Sequence, residues 1–261
     1  MMHVKAPVVA GLFYPATKQA LSMTLQALMR DADSAAKARP QALIVPHAGY
    51  QYSGPIAASA YAVLRPWADE IRRVVVLAPS HRVAFSGIAT SSAWAFATPL
   101  GEIPVDRAAV ERLADLPGVQ PLDEAFAQEH ALEVQLPFLQ TVLAQFSLVP
   151  LIVGDADSDD VSRVIETLYT PDTLVVVSSD LSHYLDYRSC QQRDRATSAL
   201  IEAMQGEQIG PYDACGAYPI RGLLLTARHL GWQVHTLDLR NSGDTSGDRS
   251  RVVGYGAYEF H

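Results

Sequence analysis

The chain has 261 residues, a length that one hydrophobic core can still organise. Hydrophobic residues make up 49% of the sequence and charged residues 18%, a composition that excludes wholesale disorder. Acidic residues outnumber basic residues by 28 to 20, for a net charge of −8, so the basic surface expected of a nucleic-acid-binding protein is missing. We therefore predict one domain over residues 1–261 that does not bind nucleic acid.

Two features of the sequence bear on its cellular compartment. Cys190 and Cys215 are the only cysteines, too few for a disulfide framework. Pro15 interrupts the N-terminal apolar stretch before it reaches the length of a signal peptide, and the longest apolar runs fall far short of the roughly 20 residues that cross a bilayer. The sequence predicts a soluble, cytoplasmic protein without a membrane segment.

Short β-branched runs alternate with helical patterns along the chain, which is typical of an α/β sheet covered by helices. Four runs are apolar throughout, as expected for strands covered on both faces. We predict central strands over 42–45, 74–77, 148–153 and 174–177, and a closing strand over 251–260. Pro150 cannot donate to a sheet ladder, so it indicates an edge strand or a bulge for the third run.

Apolar residues spaced by 3.6 predict two amphipathic helices, one after Thr17 and one that opens at 129–133. Further helical patterns cover 54–64, 106–116, 159–168, 188–204 and 217–230, and Gly231 ends the last of them. The polar segment 241–248 between two strand patterns indicates either a mobile lid or a disordered loop. Its composition matches neither phosphate-binding nor dinucleotide-binding loops, so nucleotide binding has no support.

Three histidines follow predicted strands. His47 comes after the first central strand, His81 after the second and His183 after the fourth. Ligands of open α/β sheets bind beyond the carboxyl ends of strands, so these histidines are expected in one crevice. Two or three imidazoles from separate loops can hold a zinc, iron or copper ion and leave a position open for substrate. The alternative is that each histidine only hydrogen-bonds a loop carbonyl.

Two further residues extend this predicted site. Cys215 stands just before the helical pattern 217–230, where a helix N-terminus would favour the thiolate needed for metal binding or nucleophilic attack. The alternative for Cys215 is a buried small hydrophobe. Asp180 lies three residues before His183, so we predict His183 as a general acid or base and Asp180 as the carboxylate that orients it. Alternatively, Asp180 caps the following turn.

His130, at the start of the second amphipathic helix, is a candidate donor to a substrate oxygen, whereas Glu133 in the same turn is interpreted as structural. Tyr50, beside His47, is a candidate substrate-binding residue, although aromatics next to a loop more often pack. Tyr14 and Tyr52 fall in the same class. The residues to which we assign no role are His3, Cys190, His229, His235 and His261.

Together these motifs resemble the Memo family, whose microbial members are called AmmeMemoRadiSam system protein B. They run in family order as AGLFYP (10–15), PHAGYQYSG (46–54), PSH (79–81), EHALEVQLPF (129–138), SSDLSH (178–183) and CG (215–216). The resemblance implies a fold similar to class III extradiol ring-cleavage dioxygenases: three α/β/α layers with a mixed, mostly parallel sheet and the site at one sheet edge. It also implies a pocket where His47, His81 and Cys215 hold iron or copper, with Asp180 and His183 close by.

The implied ligand set bears on the chemistry. The dioxygenases hold Fe(II) with two histidines and a carboxylate, whereas sulfur from Cys215 would shift the preference towards Cu(I) or zinc. We predict redox or O₂-linked chemistry on a small molecule. The alternatives are a zinc-dependent hydrolase and a non-catalytic module that binds a metal or a peptide in the same pocket. Radical-SAM and AMMECR-type proteins are partners that the resemblance implies.

Overall fold

The protein is built from two β-sheets and their covering helices in the computed structural model, which describes residues 3–32 and 38–261. The strands of these ranges are β1 (Val4–Lys5), β2 (Ala42–Val45), β3 (Arg73–Pro79), β4 (Ile88–Thr90), β5 (Ala95–Thr98), β6 (Gly101–Pro104), β7 (Val119–Pro121), β8 (Ser147–Val153), β9 (Thr173–Ser178), β10 (His183–Leu185), β11 (Val234–Asn241) and β12 (Val252–Phe260). The α-helices are α1 (Lys18–Arg30), α2 (Tyr50–Ala62), α3 (Arg107–Arg112), α4 (Glu124–Ala127), α5 (Leu136–Val142), α6 (Ser158–Leu168), α7 (Tyr187–Glu202), α8 (Ala217–Leu230) and α9 (Ser242–Thr245).

The central sheet has the strand order β10-β12-β2-β9-β3-β8-β4-β7, and β11 pairs with β12 beside this path. Its middle consists of β2, β9, β3 and β8, which are parallel to their neighbours within this group. Antiparallel pairings follow on both sides, of β12 with β2 and of β4 with β8. The second sheet joins β1, β5 and β6. The predicted α/β class and the mixed central sheet are confirmed.

The middle strands form because their residues are apolar on both faces. Every residue of β2 and of β9 is buried, as the continuous apolar runs predict. Helices supply the cover: α1, α2 and α5 pack together, while α6 packs against α8, which contacts β3 and β9. Thr17 caps α1, and Gly231 ends α8 with a φ of 70°. None of the helices in the described ranges combines the length and apolar character needed to cross a membrane.

Pro150 lies inside the sheet and not at its edge, so the prediction of an edge strand is wrong. It stands opposite Val76 in the pairing of β8 with β3. The N–H of Ser147 donates to Arg72 beside β3, so by alternation the nitrogen of Pro150 faces the other neighbour, β4. The pairing of β4 with β8 stops at Leu151, the residue that follows Pro150 in the chain, so Pro150 itself is not paired with β4. The N–H that proline lacks would therefore have no strand partner, and the sheet loses no ladder hydrogen bond at this position.

Two other predictions need correction. The predicted start of the second amphipathic helix at Glu129 is wrong, because residues 129–132 are not helical; a short 3-10 helix begins at Glu133 and leads into α5 at Leu136. The Glu129 carboxylate accepts the backbone N–H groups of His130 and Ala131, which takes this segment out of the helical hydrogen-bonding pattern. The polar segment 241–248, predicted as a lid or a disordered loop, contains α9, whose capping box joins Asn241 and Asp244.

Candidate metal centre

The parallel middle strands end at one edge of the sheet and place polar residues there. His47 is the second residue after β2, His81 the second after β3, and Asp180 the second after β9. His130 reaches the same place from the extended segment before α5. One ligand atom each from His47, His81 and His130 lies within 4.8 Å of the others. We call these three residues the histidine cluster.

The ring of His47 is held in one tautomer by Ser178. His47 is buried, and its Nδ1 lies 2.8 Å from the Ser178 hydroxyl oxygen. That hydroxyl donates its single hydrogen to the carbonyl of Ala131 at 2.7 Å, so it accepts from His47. His47 therefore carries its proton on Nδ1 and keeps the lone pair on Nε2. Burial, and then the nearby His81, hold the pKa of His47 well below its usual value, which keeps the ring neutral.

Glu129 holds the ring of His81 through a hydrogen bond from Nδ1. The carboxylate accepts the His81 Nδ1–H at 2.9 Å and the His81 backbone N–H at 2.6 Å. Burial opposes ionisation of Glu129, but its hydrogen bond and charge attraction to His81 outweigh burial and lower its pKa to about 2. A carboxylate only accepts hydrogen bonds, so Nδ1 of His81 carries a proton and Nε2 is the ring nitrogen left for a cation.

His130 completes the cluster, and its ring also lies beside Glu129. Its Nδ1 is buried and makes no hydrogen bond in the described chain, although a carboxylate oxygen of Glu129 lies 3.3 Å away. Its ring stacks on His81, with centroids 4.9 Å apart, and contacts Phe13. Burial, and then the proximity of His47, lower the pKa of His130 to about 4, so this ring is also neutral at pH 7. A buried neutral imidazole can offer a ring nitrogen to an ion.

The donor set fits a metal ion. Neutral imidazoles with free ring nitrogens are the form that binds zinc, copper and iron. His47 and His81 each donate the outer hydrogen bond that fixes a metal-binding histidine, and His130 adds a third imidazole within reach. The sequence predicted that His130 donates to a substrate. It did not predict that His130 lies beside the other two imidazoles.

Cys215 lies at the border of the cluster, with its Sγ 3.4 Å from Nε2 of His47. The sulfur also accepts the backbone N–H of Asp180 at 3.3 Å. Burial, and then the charge of Asp180, raise the pKa of Cys215 above the usual thiol value. This direction is opposite to the one expected from the N-terminus of α8, because the desolvation of a buried sulfur outweighs the helix dipole. A bound cation would favour the thiolate instead.

Asp180 and His183 both line the cavity that contains the cluster, but no hydrogen bond joins their side chains in the residues described. The carboxylate of Asp180 instead accepts the backbone N–H of His47 at 2.7 Å. Asp180 therefore fixes the path of the chain after β2. Burial raises its pKa. His183 opens β10 and is half-buried.

Of the three tyrosines singled out in the sequence, Tyr14 and Tyr50 pack against each other, with ring centroids 5.6 Å apart, and Tyr52 lies apart from that pair in the cavity wall. Tyr50 is buried at the start of α2, and its hydroxyl donates to the carbonyl of Val134 at 2.8 Å. Tyr14 is also buried and donates to Glu133. Tyr52 lines the cavity, whereas Tyr50 does not belong to its lining.

The cavity has a volume of about 750 Å³, enough for a small organic molecule beside the cluster. Sequence analysis missed Glu129, Ser178 and two arginines of its rim, Arg82 and Arg251. A signal existed for Glu129, because a carboxylate directly before His130 is a ready partner for an imidazole. Ser178 and Arg251 carry no comparable local pattern.

Comparisons with known proteins show the family of this chain. Residues 5–259 match the protein family described as Memo-like protein. A MEMO1 family protein of Aquifex aeolicus is 35% identical over 266 residues and covers 97% of this chain and 98% of its own. One from Methanopyrus kandleri is 34% identical, with 98% of each chain covered. One from Pyrobaculum arsenaticum is 33% identical over the full length of both. With the match extending over nearly every element described above, this chain belongs to the Memo-like protein family.

Proposed function

We propose that the histidine cluster holds a redox-active metal ion, iron or copper, and that the protein uses it for redox or O₂-linked chemistry on a small molecule. The observation that carries this proposal is the convergence of three imidazoles from three chain segments, with ligand atoms within 4.8 Å of one another. The adjoining cavity of about 750 Å³ gives a substrate room beside them.

His47 and His81 are the constant members of the proposed ligand set, and the third member is His130 or Cys215. His130 is favoured by a ligand atom within 4.8 Å of those of His47 and His81, and Cys215 by the 3.4 Å between its sulfur and His47. An all-nitrogen set suits iron, copper and zinc, whereas sulfur favours Cu(I) or zinc. When bound, iron or copper would supply one-electron and O₂ chemistry that side chains alone cannot provide.

The remaining residues of the site prepare and serve this centre. Glu129 and Ser178 fix the tautomers of His81 and His47, so that each presents Nε2. Asp180 holds the backbone of His47 in place. The imidazole of His183 faces the cavity and is the group that we propose for proton transfer to or from a substrate.

Elemental analysis of protein purified without oxygen tests the metal site. The wild type is expected to hold stoichiometric iron or copper, and His47→Ala is expected to lose it. His130→Ala and Cys215→Ser, measured side by side, identify the third ligand. His229→Ala is a matched control, because that histidine lies on the surface beside Glu166. Unchanged metal content in His47→Ala contradicts the proposal.

A zinc-dependent hydrolase is a second candidate, and the three-histidine donor set favours it because catalytic zinc is often held by three nitrogens. Zinc lowers the pKa of a bound water to about 7, which makes a nucleophile available at neutral pH. Turnover of esters or amides that zinc restores to the metal-free protein, without oxygen uptake, would favour this function over redox chemistry.

A further inference from the structure

Two arginines stand on the rim of the cavity that holds the histidine cluster. Arg82 directly follows His81, and Arg251 precedes β12. Within residues 3–32 and 38–261, neither guanidinium takes part in an ion pair. The cavity lining also carries the carboxylates of Asp180 and Asp248, but each accepts hydrogen bonds from the chain, Asp180 from the N–H of His47 and Asp248 from Ser250. The two guanidinium groups are therefore cationic donors that the lining offers to an anion in a chain of net charge −8.

The strand pairing beside Arg251 is irregular. The pairing of β10 with β12 is irregular between His183 and Leu185, and Tyr184 between them has a φ of 58°. A bulky residue with a positive φ is strained, and bulges of this kind re-aim side chains next to functional sites. The ring of Tyr184 is 63% exposed and lies 4.9 Å beneath the guanidinium of Arg251.

The contact with Tyr184 restrains the Arg251 guanidinium, whose N–H groups donate to no acceptor among the residues that the structure describes. A guanidinium edge matches the two oxygens of a carboxylate or a phosphate. The rim also includes Asp248, one of whose oxygens accepts the N–H and the hydroxyl of Ser250. The negative charge of Asp248 repels an anion, so removing that charge is expected to change anion binding in the opposite direction to removing an arginine.

We propose that the cavity binds a small organic anion, a carboxylate or a phosphate monoester, whose oxyanion contacts Arg82 and Arg251. Its apolar body would lie against the aromatic lining formed by Phe13, Tyr52 and Tyr255. The identification of this anion as the substrate rests on the proposed function of the histidine cluster. The binding itself does not need a metal.

Isothermal titration calorimetry on the full chain, as purified and after metal removal, tests the proposal with four probes. They are benzoate, phenyl phosphate, inorganic phosphate and the neutral benzyl alcohol. Benzoate or phenyl phosphate is expected to bind at least about tenfold more tightly than benzyl alcohol, including to the metal-free protein, since a charge-assisted hydrogen bond is worth about that factor or more. The tighter of the two names the oxyanion.

Variants assign the binding to the rim. Arg82→Gln and Arg251→Gln are each expected to weaken binding about tenfold or more, Arg251→Lys less, and Asp248→Asn to strengthen it. Arg249→Gln is the matched control, because Arg249 lies over Tyr187 and does not line the cavity. Equal binding of benzyl alcohol, equally tight binding of inorganic phosphate, or wild-type binding by both Arg82→Gln and Arg251→Gln overturns the proposal.

Metal content measured in the same preparations separates the two proposals. Anion binding by a wild type that holds no metal, even after anaerobic reconstitution, supports the anion site and rejects the metal function. Stoichiometric metal without anion binding to either form rejects the anion site alone. All four arginine and aspartate side chains changed or used as controls lie in exposed positions, so folding is checked by matching thermal unfolding curves.

Discussion

At the scale of single residues, Glu129 decides how the histidine cluster is built. One buried carboxylate accepts the backbone N–H groups of His81, His130 and Ala131 and, in addition, Nδ1–H of His81. The groups that it joins come from the exit of β3 and from the segment before α5. Two members of the cluster therefore depend on a residue that does not itself belong to it.

Glu129→Gln tests this dependence. Glutamine keeps the volume but loses the charge and one acceptor, and its amide group would face N–H donors. We expect metal affinity to fall by about 10-fold to 100-fold, the usual effect of removing an outer partner of a metal-binding histidine. Competition with a chelator measures it. Glu166→Gln, which changes a surface Glu–His pair, is the control. Equal affinity in wild type and Glu129→Gln would show that His81 does not need its carboxylate.

Sequence reasoning located His47 and His81 because each follows a strand that its own apolar residues specify. It named His130 as a candidate donor to a substrate but could not place its ring beside the other two imidazoles, since the position of that ring depends on the path that Glu129 imposes on the chain. Sequence reasoning also could not predict the direction in which the pKa of Cys215 is shifted. Only the packing shows that burial outweighs the helix N-terminus there.

At the scale of elements, the segment before α5 fixes the N-terminal residues onto the site. The buried carboxylate of Glu133 accepts the N–H groups of Val8 and Val9, at 2.7 and 3.0 Å, and the hydroxyl of Tyr14 at 2.6 Å. This segment brings Phe13 against His130, with ring centroids 4.8 Å apart. The structural role predicted for Glu133 thus acts on another segment, and not through a helix dipole.

Glu133→Ala should therefore destabilise the fold. Each buried N–H left without a partner costs about 1–3 kcal/mol, so we expect the free energy of unfolding to fall by at least about 2 kcal/mol. Urea denaturation measures the change. Tyr14→Phe removes only one of the three hydrogen bonds and should cost clearly less. A smaller loss in Glu133→Ala than in Tyr14→Phe would mean that the two backbone groups find other partners.

The parallel middle strands were predictable, and the reason is local. β2 is bounded as predicted, and β9 extends one residue beyond the predicted strand at each end, because a run of buried apolar residues specifies its own strand. Pro150 misled because its acceptability depends on where β4 stops pairing, which is a property of two distant segments. The same holds for α5, whose start depends on side-chain hydrogen bonds of Glu129.

At the scale of the whole molecule, the prediction of a single domain has a direct test. The buried apolar residues of the described chain form one cluster that extends from Val9 in the N-terminal segment to Phe260 in β12. We expect one cooperative unfolding transition, with coincident midpoints by tryptophan fluorescence and by far-ultraviolet circular dichroism. Two separated transitions would contradict a single domain. The cytoplasmic location and the radical-SAM and AMMECR-type partners remain predictions.

The hydrogen bonds around the cluster form a continuous chain. It runs from His47 through the hydroxyl of Ser178 to the carbonyl of Ala131, and from the N–H of Ala131 through Glu129 to His81. Coordination chemistry distinguishes open-chain chelators from macrocycles, whose donor atoms are spaced before an ion arrives. The histidine cluster resembles a macrocycle in this respect, because its hydrogen bonds order the donor atoms before an ion binds, and binding then costs little ordering entropy. For the metal ion proposed above, we therefore expect slow exchange, since these hydrogen bonds hold the donors in place around it.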